Sequence, residues 1–461
     1  MKKLVLLFIT ACMIVTCFAC GENDKKINPP KIPGVRFPDP DFKGANFRIS
    51  NREEYGGLEV VVDDETSENI VDMALLLRNA KVEDRYHVEI VRQDNSSASH
   101  INTVLSDLAA QKGTFDLAMT SAGESSPIIT SGAVYDWANL PYVRLEESHW
   151  LMGVNKKLAV RGSIYTAVSK MCVSTIAQTY ALICNLRLGN SFRGENFTKY
   201  LYGTVGDGDW TYDQFMDVIN EYGSSDTDCA FIMPAESIDN WHSAWEIPIF
   251  DSTVEEGLKD VYMSTKLLAY ADRMHTMYGN TKGIRIASQE EAHESFIADK
   301  ALFTTAKLSD ALTVLEKMPG EYTFIPLPKY DEDQKTYVSP MLDGYSVMSI
   351  PKTADADFAA FITEALSRAS EQHVYPAYKF DALYGEQVSD TAFMFQIVLE
   401  NVSFDISILF NSELGLMSMV RDDVINNPGN SKLEESYIDM KDTIADILAE
   451  VMSAVDEKSE S

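Results

Sequence analysis

The chain has 461 residues, of which 45% are hydrophobic and 24% charged. That length and balance exclude one small domain and a largely disordered chain, and call for two or three domains or one large two-lobed body. Lys and Arg total 39 against 70 Asp and Glu, a formal charge of −31, which argues against a nucleic-acid surface and against electrostatic docking on anionic lipid.

Residues 1–19 read as an export signal. Lys2 and Lys3 precede an apolar run from Leu4 to Ile9 that continues weakly to Ala19. A spanning helix needs about 20 apolar residues, and no comparable run recurs downstream, so no transmembrane helix is expected in the mature chain. Thr16-Cys17-Phe18-Ala19-Cys20-Gly21 resembles a bacterial lipobox, with Cys20 as the lipid anchor, although Cys17 and Phe18 depart from the usual pattern. Ile9-Thr10-Ala11-Cys12 matches better locally but leaves too short an apolar region, and an ordinary cleaved signal is the other alternative. Two acyl chains on Cys20 suffice for stable anchoring. Residues 20–43 then form a tether whose Pro29, Pro30, Pro33, Pro38 and Pro40 favour extended backbone. Cleavage before Cys20 removes two lysines and no acid, taking −31 to −33.

The body alternates strand-like and helix-like runs. Ala45–Ser50 is a strand, Asn69–Arg85 a helix, Val88–Val91 a strand, Ile101–Gln111 a helix and Phe115–Met119 a strand. This β-α-β-α-β order predicts a parallel sheet with crossover helices, whose ligands bind at the carboxyl ends of the strands. Further on, Thr179–Cys184 is a strand, and Thr211 caps a helix that runs to Glu221. Helices are expected over Asp260–Arg273 and Glu290–Asp299, and strands over Ala301–Thr305, Tyr322–Pro328 and Tyr345–Pro351. The remainder is helical: Asp355–Ser370, Asp390–Asn401 and Leu433–Val455. Cys172, Cys184 and Cys229 are an odd set that reads as buried thiols, with one bridge as the alternative.

Several ordered segments resemble the extracellular solute-binding proteins of ABC importers, the family 1 group that includes maltose-binding protein. Phe115-Asp116-Leu117-Ala118 resembles the strand before the first ligand loop, and Val134-Tyr135-Asp136-Trp137-Ala138-Asn139-Leu140 the segment that follows it. Arg161-Gly162-Ser163-Ile164-Tyr165 resembles the crossing between lobes, Asp209–Phe215 a Trp-Thr helix start, and Pro326-Leu327-Pro328-Lys329 the end of the strand before the return. The resemblance runs from about Gly44 to Val455. It implies an α/β, two-lobed periplasmic-binding-protein-like type II fold, each lobe a mostly parallel sheet flanked by helices, hinged by crossover strands. Carried onto this chain, lobe 1 is 45–161 plus 304–345, and lobe 2 is 165–302 plus 346–461. The function it implies is a monomeric, lipid-anchored receptor on the extracytoplasmic face of a bacterial cell membrane. Such a receptor closes on a solute, most simply a mono- or oligosaccharide, and delivers it to an ABC permease.

Candidate ligand residues follow from position and from sugar chemistry, where rings cover C–H faces and carboxylates or amides bond hydroxyls. Ser121 and Glu124 follow the third strand; a plain turn with a solvated acid is the alternative. Trp241 and Trp245, at i and i+4, are either a sugar platform or a buried core pair, with His242 a bystander. Asp343 and Tyr345 lie at the return crossing, where Gly344 also suits a simple hinge turn. Tyr55, before Gly56-Gly57, follows the first strand and is a capping ring or part of a surface loop. Trp210 reads as helix-start packing.

No G-x-S-x-G, H-E-x-x-H or GxxxxGK[ST] occurs. Asp207-Gly208-Asp209 lacks the later acids of a calcium loop, and the seven histidines are dispersed, so no metal, cofactor or catalytic residue is expected. The competing functions are a surface-anchored glycan hydrolase using two carboxylates and a non-transport adhesion or assembly lipoprotein.

Overall fold

The computed structural model describes residues 37–60, 69–194, 196–223, 229–253, 257–280, 282–313, 317–318, 321–342, 344–384 and 389–459. Cys20 and Asp343 lie outside them. The strands are β1 (Ala45–Arg52), β2 (Val88–Asn95), β3 (Leu117–Ser121), β4 (Tyr180–Asn185), β5 (Phe231–Pro234), β6 (Phe250–Thr253), β7 (Gly257–Asp260), β8 (Ile284–Ala287), β9 (Phe303–Lys307), β10 (Tyr322–Ile325) and β11 (Ser346–Ser349).

The first sheet has the order β11-β3-β1-β2. β1 runs parallel to β2 and β3, and β11 closes the edge antiparallel to β3. The connecting helices form for local reasons. Asn69 caps the Ile70–Tyr86 helix by accepting from the backbone N–H groups of Val71 and Asp72 at 2.7 and 3.2 Å. That helix buries Val71, Ala74, Leu75, Val82 and Tyr86, spaced as one apolar stripe. At the amino end of β3, Arg48 grips Asp116 with Nε and Nη2 at 3.0 and 2.7 Å, fixing β1 against β3.

The second sheet has the order β10-β4-β9-β5-β8. β5 runs parallel to β8 and β9, while β4 is antiparallel to both its neighbours. β6 and β7 form a separate hairpin, for which no strands were predicted. The Tyr212–Gly223 helix begins as expected, with the Gln214 N–H bonding Thr211 Oγ1 at 3.4 Å. Trp210, also as expected, is fully buried.

Sheet membership corrects the division into lobes. β9 and β10, which the sequence assigned to lobe 1 within 304–345, belong to the second sheet. β11, assigned to lobe 2 within 346–461, belongs to the first. The first crossing also moves. Residues 161–165 stay with the first sheet, since Val160 and Ser163 form a tight turn and Ala167 bridges Met348 of β11. The chain passes between lobes at 174–180 and returns at 340–346. There Thr179 bridges Met341, the Tyr180 N–H bonds the Pro340 carbonyl at 2.9 Å, and the Ser346 N–H bonds Ser174 Oγ at 2.9 Å.

The carboxyl-terminal third then serves both lobes. The Ala356–Ala369 helix sets Phe361 4.9 Å from Tyr86, and Phe395 of the Ser389–Glu400 helix lies 5.5 Å from Phe324 of β10. One apolar cluster runs from Val71 and Leu75 through Ile176 to Ile183 and Phe324, so the lobes share a buried seam beside the crossings. Cys172, Cys184 and Cys229 are buried thiols outside any disulfide. Among the described residues, no helix is long and apolar enough to cross a membrane.

Candidate functional site

A cleft of about 330 Å³ opens where the two sheets present strand ends to each other. In the second sheet the parallel strands β5, β8 and β9 all finish at this edge, and antiparallel β4 begins there. Their ends supply Glu236 after β5, Gln289 after β8, Thr305 and Lys307 from β9, and Tyr180 from β4. The first lobe contributes Tyr55, from the short helix after β1, and the crossings contribute Gln178, Leu342 and Gly344. This is the position that open α/β sheets reserve for ligands.

Within the cleft, Gln178 Nε2 donates to the Tyr55 hydroxyl at 3.0 Å, tying the first crossing to lobe 1. The Tyr55 ring rests on the Arg52 guanidinium, 3.9 Å from the ring centroid. Burial pushes the Tyr55 phenol above its usual pKa, so it remains a neutral donor and acceptor. Gly344 is closely flanked: a Cβ there would lie 3.4 Å from Gln178 Oε1 and 3.5 Å from the Tyr55 hydroxyl. Gln289 Nε2 donates to Asp310 Oδ2 at 2.7 Å, which orients one carboxylate of the wall. Lys307 lies 5.9 Å from the centroid of the Tyr180 ring. Among the described residues, the charged lining groups are two carboxylates, Glu236 and Asp310, and one ammonium, Lys307.

Beneath Tyr55 a buried polar network joins the crossings to lobe 1. Arg52 Nη2 donates to Ser346 Oγ at 2.8 Å, and Ser346 Oγ donates to Glu59 Oε2 at 2.6 Å. Glu59 Oε1 accepts from the Ser174 N–H at 3.1 Å and from the Ser174 hydroxyl. Burial raises the pKa of the fully buried Glu59, while Arg52 and the serine donors oppose that rise. Arg78, also fully buried, closes the far side by donating to the Glu59 and Val60 carbonyls at 2.9 and 2.6 Å.

The sequence candidates divide. Tyr55 lines the cleft, as does Gly344 beside Asp343. Ser121 and Glu124 are half-buried at the end of β3, where Ser121 pairs with Ser346; neither is among the lining residues. Tyr345 is corrected to a core residue: it is fully buried, with its ring 4.8 Å from Phe404. Trp241 and Trp245 are corrected likewise. They do share a helix face, but it faces the second lobe's aromatic core. Trp241 packs 5.6 Å from Phe215 and 5.3 Å from Trp245, whose Nε1 donates to the Pro328 carbonyl at 3.0 Å. Both are fully buried, and neither ring offers a face to a ligand. The sequence reading missed Gln178, Tyr180, Glu236, Gln289, His293, Lys307 and Asp310. One signal was available, because Gln289 and His293 stand at i and i+4 on a helix that starts at a strand end.

No protein-family model matches the sequence, and no curated protein matches it. Solved structures do match in fold. The sugar-binding protein MalE of Xanthomonas citri superposes with a TM-score of 0.63 at 14% identity, over 89% of this chain and 99% of that one. The galacto-N-biose-/lacto-N-biose I-binding protein of the ABC transporter of Bifidobacterium longum, in complex with lacto-N-biose, gives 0.59 at 14%, over 89% and 98%. UgpB of Mycobacterium tuberculosis, in complex with glycerophosphocholine, gives 0.53 at 11%, over 90% and 99%. The chain therefore has the two-lobed α/β fold of ABC-transporter solute-binding proteins; at these identities the likeness is one of fold.

Proposed function

We propose that this chain is the solute receptor of an ABC importer, that its solute is a mono- or oligosaccharide, and that a lipid on Cys20 holds it at the outer face of the membrane. The observation that carries this reading is the cleft. It lies at the carboxyl ends of parallel strands, between two lobes joined by paired crossings, and is lined by neutral hydroxyl and amide groups with two carboxylates and one ammonium. Glu236, Asp310 and Gln178 supply the acceptors and the amide that sugar hydroxyls require, and Tyr55 and Tyr180 supply rings for C–H faces. A solute touching Tyr55 on one lobe and the β5–β9 edge on the other stabilises the closed state by its differential contacts, with no catalytic group needed. The sugar-binding proteins among the fold's solved examples support the solute class.

The test is a thermal-shift screen over sugars, oligosaccharides, peptides and polyamines, followed by X-ray scattering with the best compound. Binding to the folded state alone raises stability by about 2.7 kcal/mol at a hundredfold excess over Kd. A sugar that raises the melting temperature, contracts the molecule and is recovered intact is the expected result. Hydrolysis of the sugar, or a response confined to peptides or polyamines, refutes the reading. For the anchor, Cys20→Ala is expected to release the protein from membranes, and continued detergent-dependent retention refutes it.

A further inference from the structure

One group in the cleft wall has half of its hydrogen-bonding capacity unused. His293 lines the cleft from the Gln289–Ile297 helix and is only 4% exposed. Its ring bonds the backbone of Thr305, while Nε2 has no hydrogen-bond partner among the described residues. A neutral imidazole that donates from one nitrogen carries its acceptor lone pair on the other. Nε2 is thus a buried acceptor without a donor.

The neighbouring groups do not supply that donor. Asp310 bears on the ring electrostatically, but an ionised carboxylate only accepts, and its Oδ2 is already held by Gln289. Glu236 is likewise acceptor-only. Lys307 is drawn toward the Tyr180 ring, and the Tyr55 hydroxyl is paired with Gln178. Burial also pushes the imidazole below its ordinary pKa, which keeps the lone pair available at neutral pH.

We propose that Nε2 of His293 accepts a hydrogen bond from one particular hydroxyl of the bound sugar, which makes His293 a specificity residue of the cleft. The proposal rests on the reading of this chain as a sugar receptor. A site built to pair one hydroxyl rejects the analogue lacking it far more strongly than a site of mere shape, because the buried acceptor is then left bare.

The test uses the sugar that gives the largest thermal shift, together with its singly deoxygenated analogues. Titration calorimetry compares wild type, His293→Phe, which keeps a ring without an acceptor, and His293→Gln, which keeps an acceptor. One deoxy position is expected to cost the wild type at least tenfold in Kd and the Phe variant less than threefold, with Gln restoring part of the discrimination. This difference is a coupling that a merely structural role would not produce. In wild type, the 15N resonance of Nε2 is expected to move when the sugar is added, a readout that stands even if a variant fails to fold. Equal discrimination by wild type and variant at every position, or an unmoved Nε2 resonance, overturns the assignment of His293 alone. A wild type that binds no sugar overturns the receptor reading and this proposal with it.

Discussion

Trp241→Ala separates a core role from a binding role. The Trp241 ring is fully buried among Phe215, Phe231 and Trp245, with centroids 5.6, 6.5 and 5.3 Å away, and it is not part of the cleft lining. Truncating a fully buried Trp costs about 3–5 kcal/mol, the lost transfer energy plus the cavity left behind. For a cooperative unit the size of one lobe, each kcal/mol moves the midpoint by about 2–4 °C, so a fall of roughly 10 °C is expected. Stabilities of about 5–15 kcal/mol leave the variant folded at 25 °C, where its Kd should stay within about threefold of wild type. Scanning calorimetry gives the first quantity and titration calorimetry the second. Tyr55→Ala is the reciprocal control. It removes a cleft ring with one hydrogen bond and one cation–π contact, each worth about 1 kcal/mol, so Kd should rise at least tenfold for a fall of only a few degrees. The reasoning is refuted if Trp241→Ala raises Kd tenfold while its melting temperature stays within about 2 °C of wild type.

The remaining predictions concern stability. Burial pushes the imidazoles of His100 and His242 from 6.5 down to about 4 and about 3. Both take up their protons more readily in the unfolded chain, so stability falls as pH drops below about 6.5, by about 1.4 kcal/mol per pH unit for each. Glu59, whose folded pKa is raised, acts in the opposite direction, so the clean measurement is a difference. Urea unfolding of His100→Gln should lose about 2 kcal/mol less than wild type between pH 6.5 and 5, and parallel losses would refute the assignment. Glu364 is fully buried and accepts from His149 Nε2 at 2.9 Å, Trp150 Nε1 at 2.5 Å and Arg368 Nε at 2.6 Å. Burial alone would raise its pKa, but these donors outweigh it and hold it below the usual 4.5. Its contribution is therefore present above pH ~4.5 and lost as pH falls through the folded value. Glu364→Gln should cost about 3–5 kcal/mol by urea unfolding at pH 7 with sugar affinity unchanged. Gly189→Ala would drive a Cβ into the ring of the fully buried Phe197, and a loss of about 1–3 kcal/mol is expected in the same assay.

Local structure was legible because it is written in short periods. The expected strands at 45–50, 88–91, 115–119, 179–184, 301–305, 322–328 and 345–351 all exist, displaced by a few residues; the helices expected from Asn69, Thr211, Asp355 and Leu433 begin within a residue of those positions, whereas the one expected from Asp260 begins at Thr265, because Asp260 ends strand β7. The division into lobes was not legible. β9 and β10 are short, mostly buried strands that would suit either sheet; what assigns them is antiparallel pairing with β4, more than a hundred positions earlier in the chain. Nor does any local pattern mark where a chain leaves one sheet for another. The 161–165 turn looks like a connection and is one, but it closes on the first sheet, whereas the true crossing at 174–180 passes through an ordinary run of apolar and hydroxyl residues.

The candidate site failed at the same level of organisation. Two tryptophans at i and i+4 make one face, and the sequence cannot say whether that face meets a sugar or Phe215 and Phe231, which come from other elements. Tyr55 was found because it follows a strand end, a rule with a physical basis in parallel sheets. The same rule, applied to the second lobe with its true strands, would have reached Glu236 after β5, Gln289 and His293 after β8, and Lys307 at the end of β9. Placing those strands was the missing step, so the error in the lobes and the error in the site were one error. The buried network explains why the two belong together. Tyr55 in the cleft rests on Arg52, Arg52 bonds Ser346 of the return crossing, and Ser346 bonds Glu59, which also holds Ser174 of the first crossing. A polar network so deeply buried is a poor source of net stability and a good source of fixed geometry. Here it holds the cleft-lining ring and both interlobe crossings in one hydrogen-bonded unit.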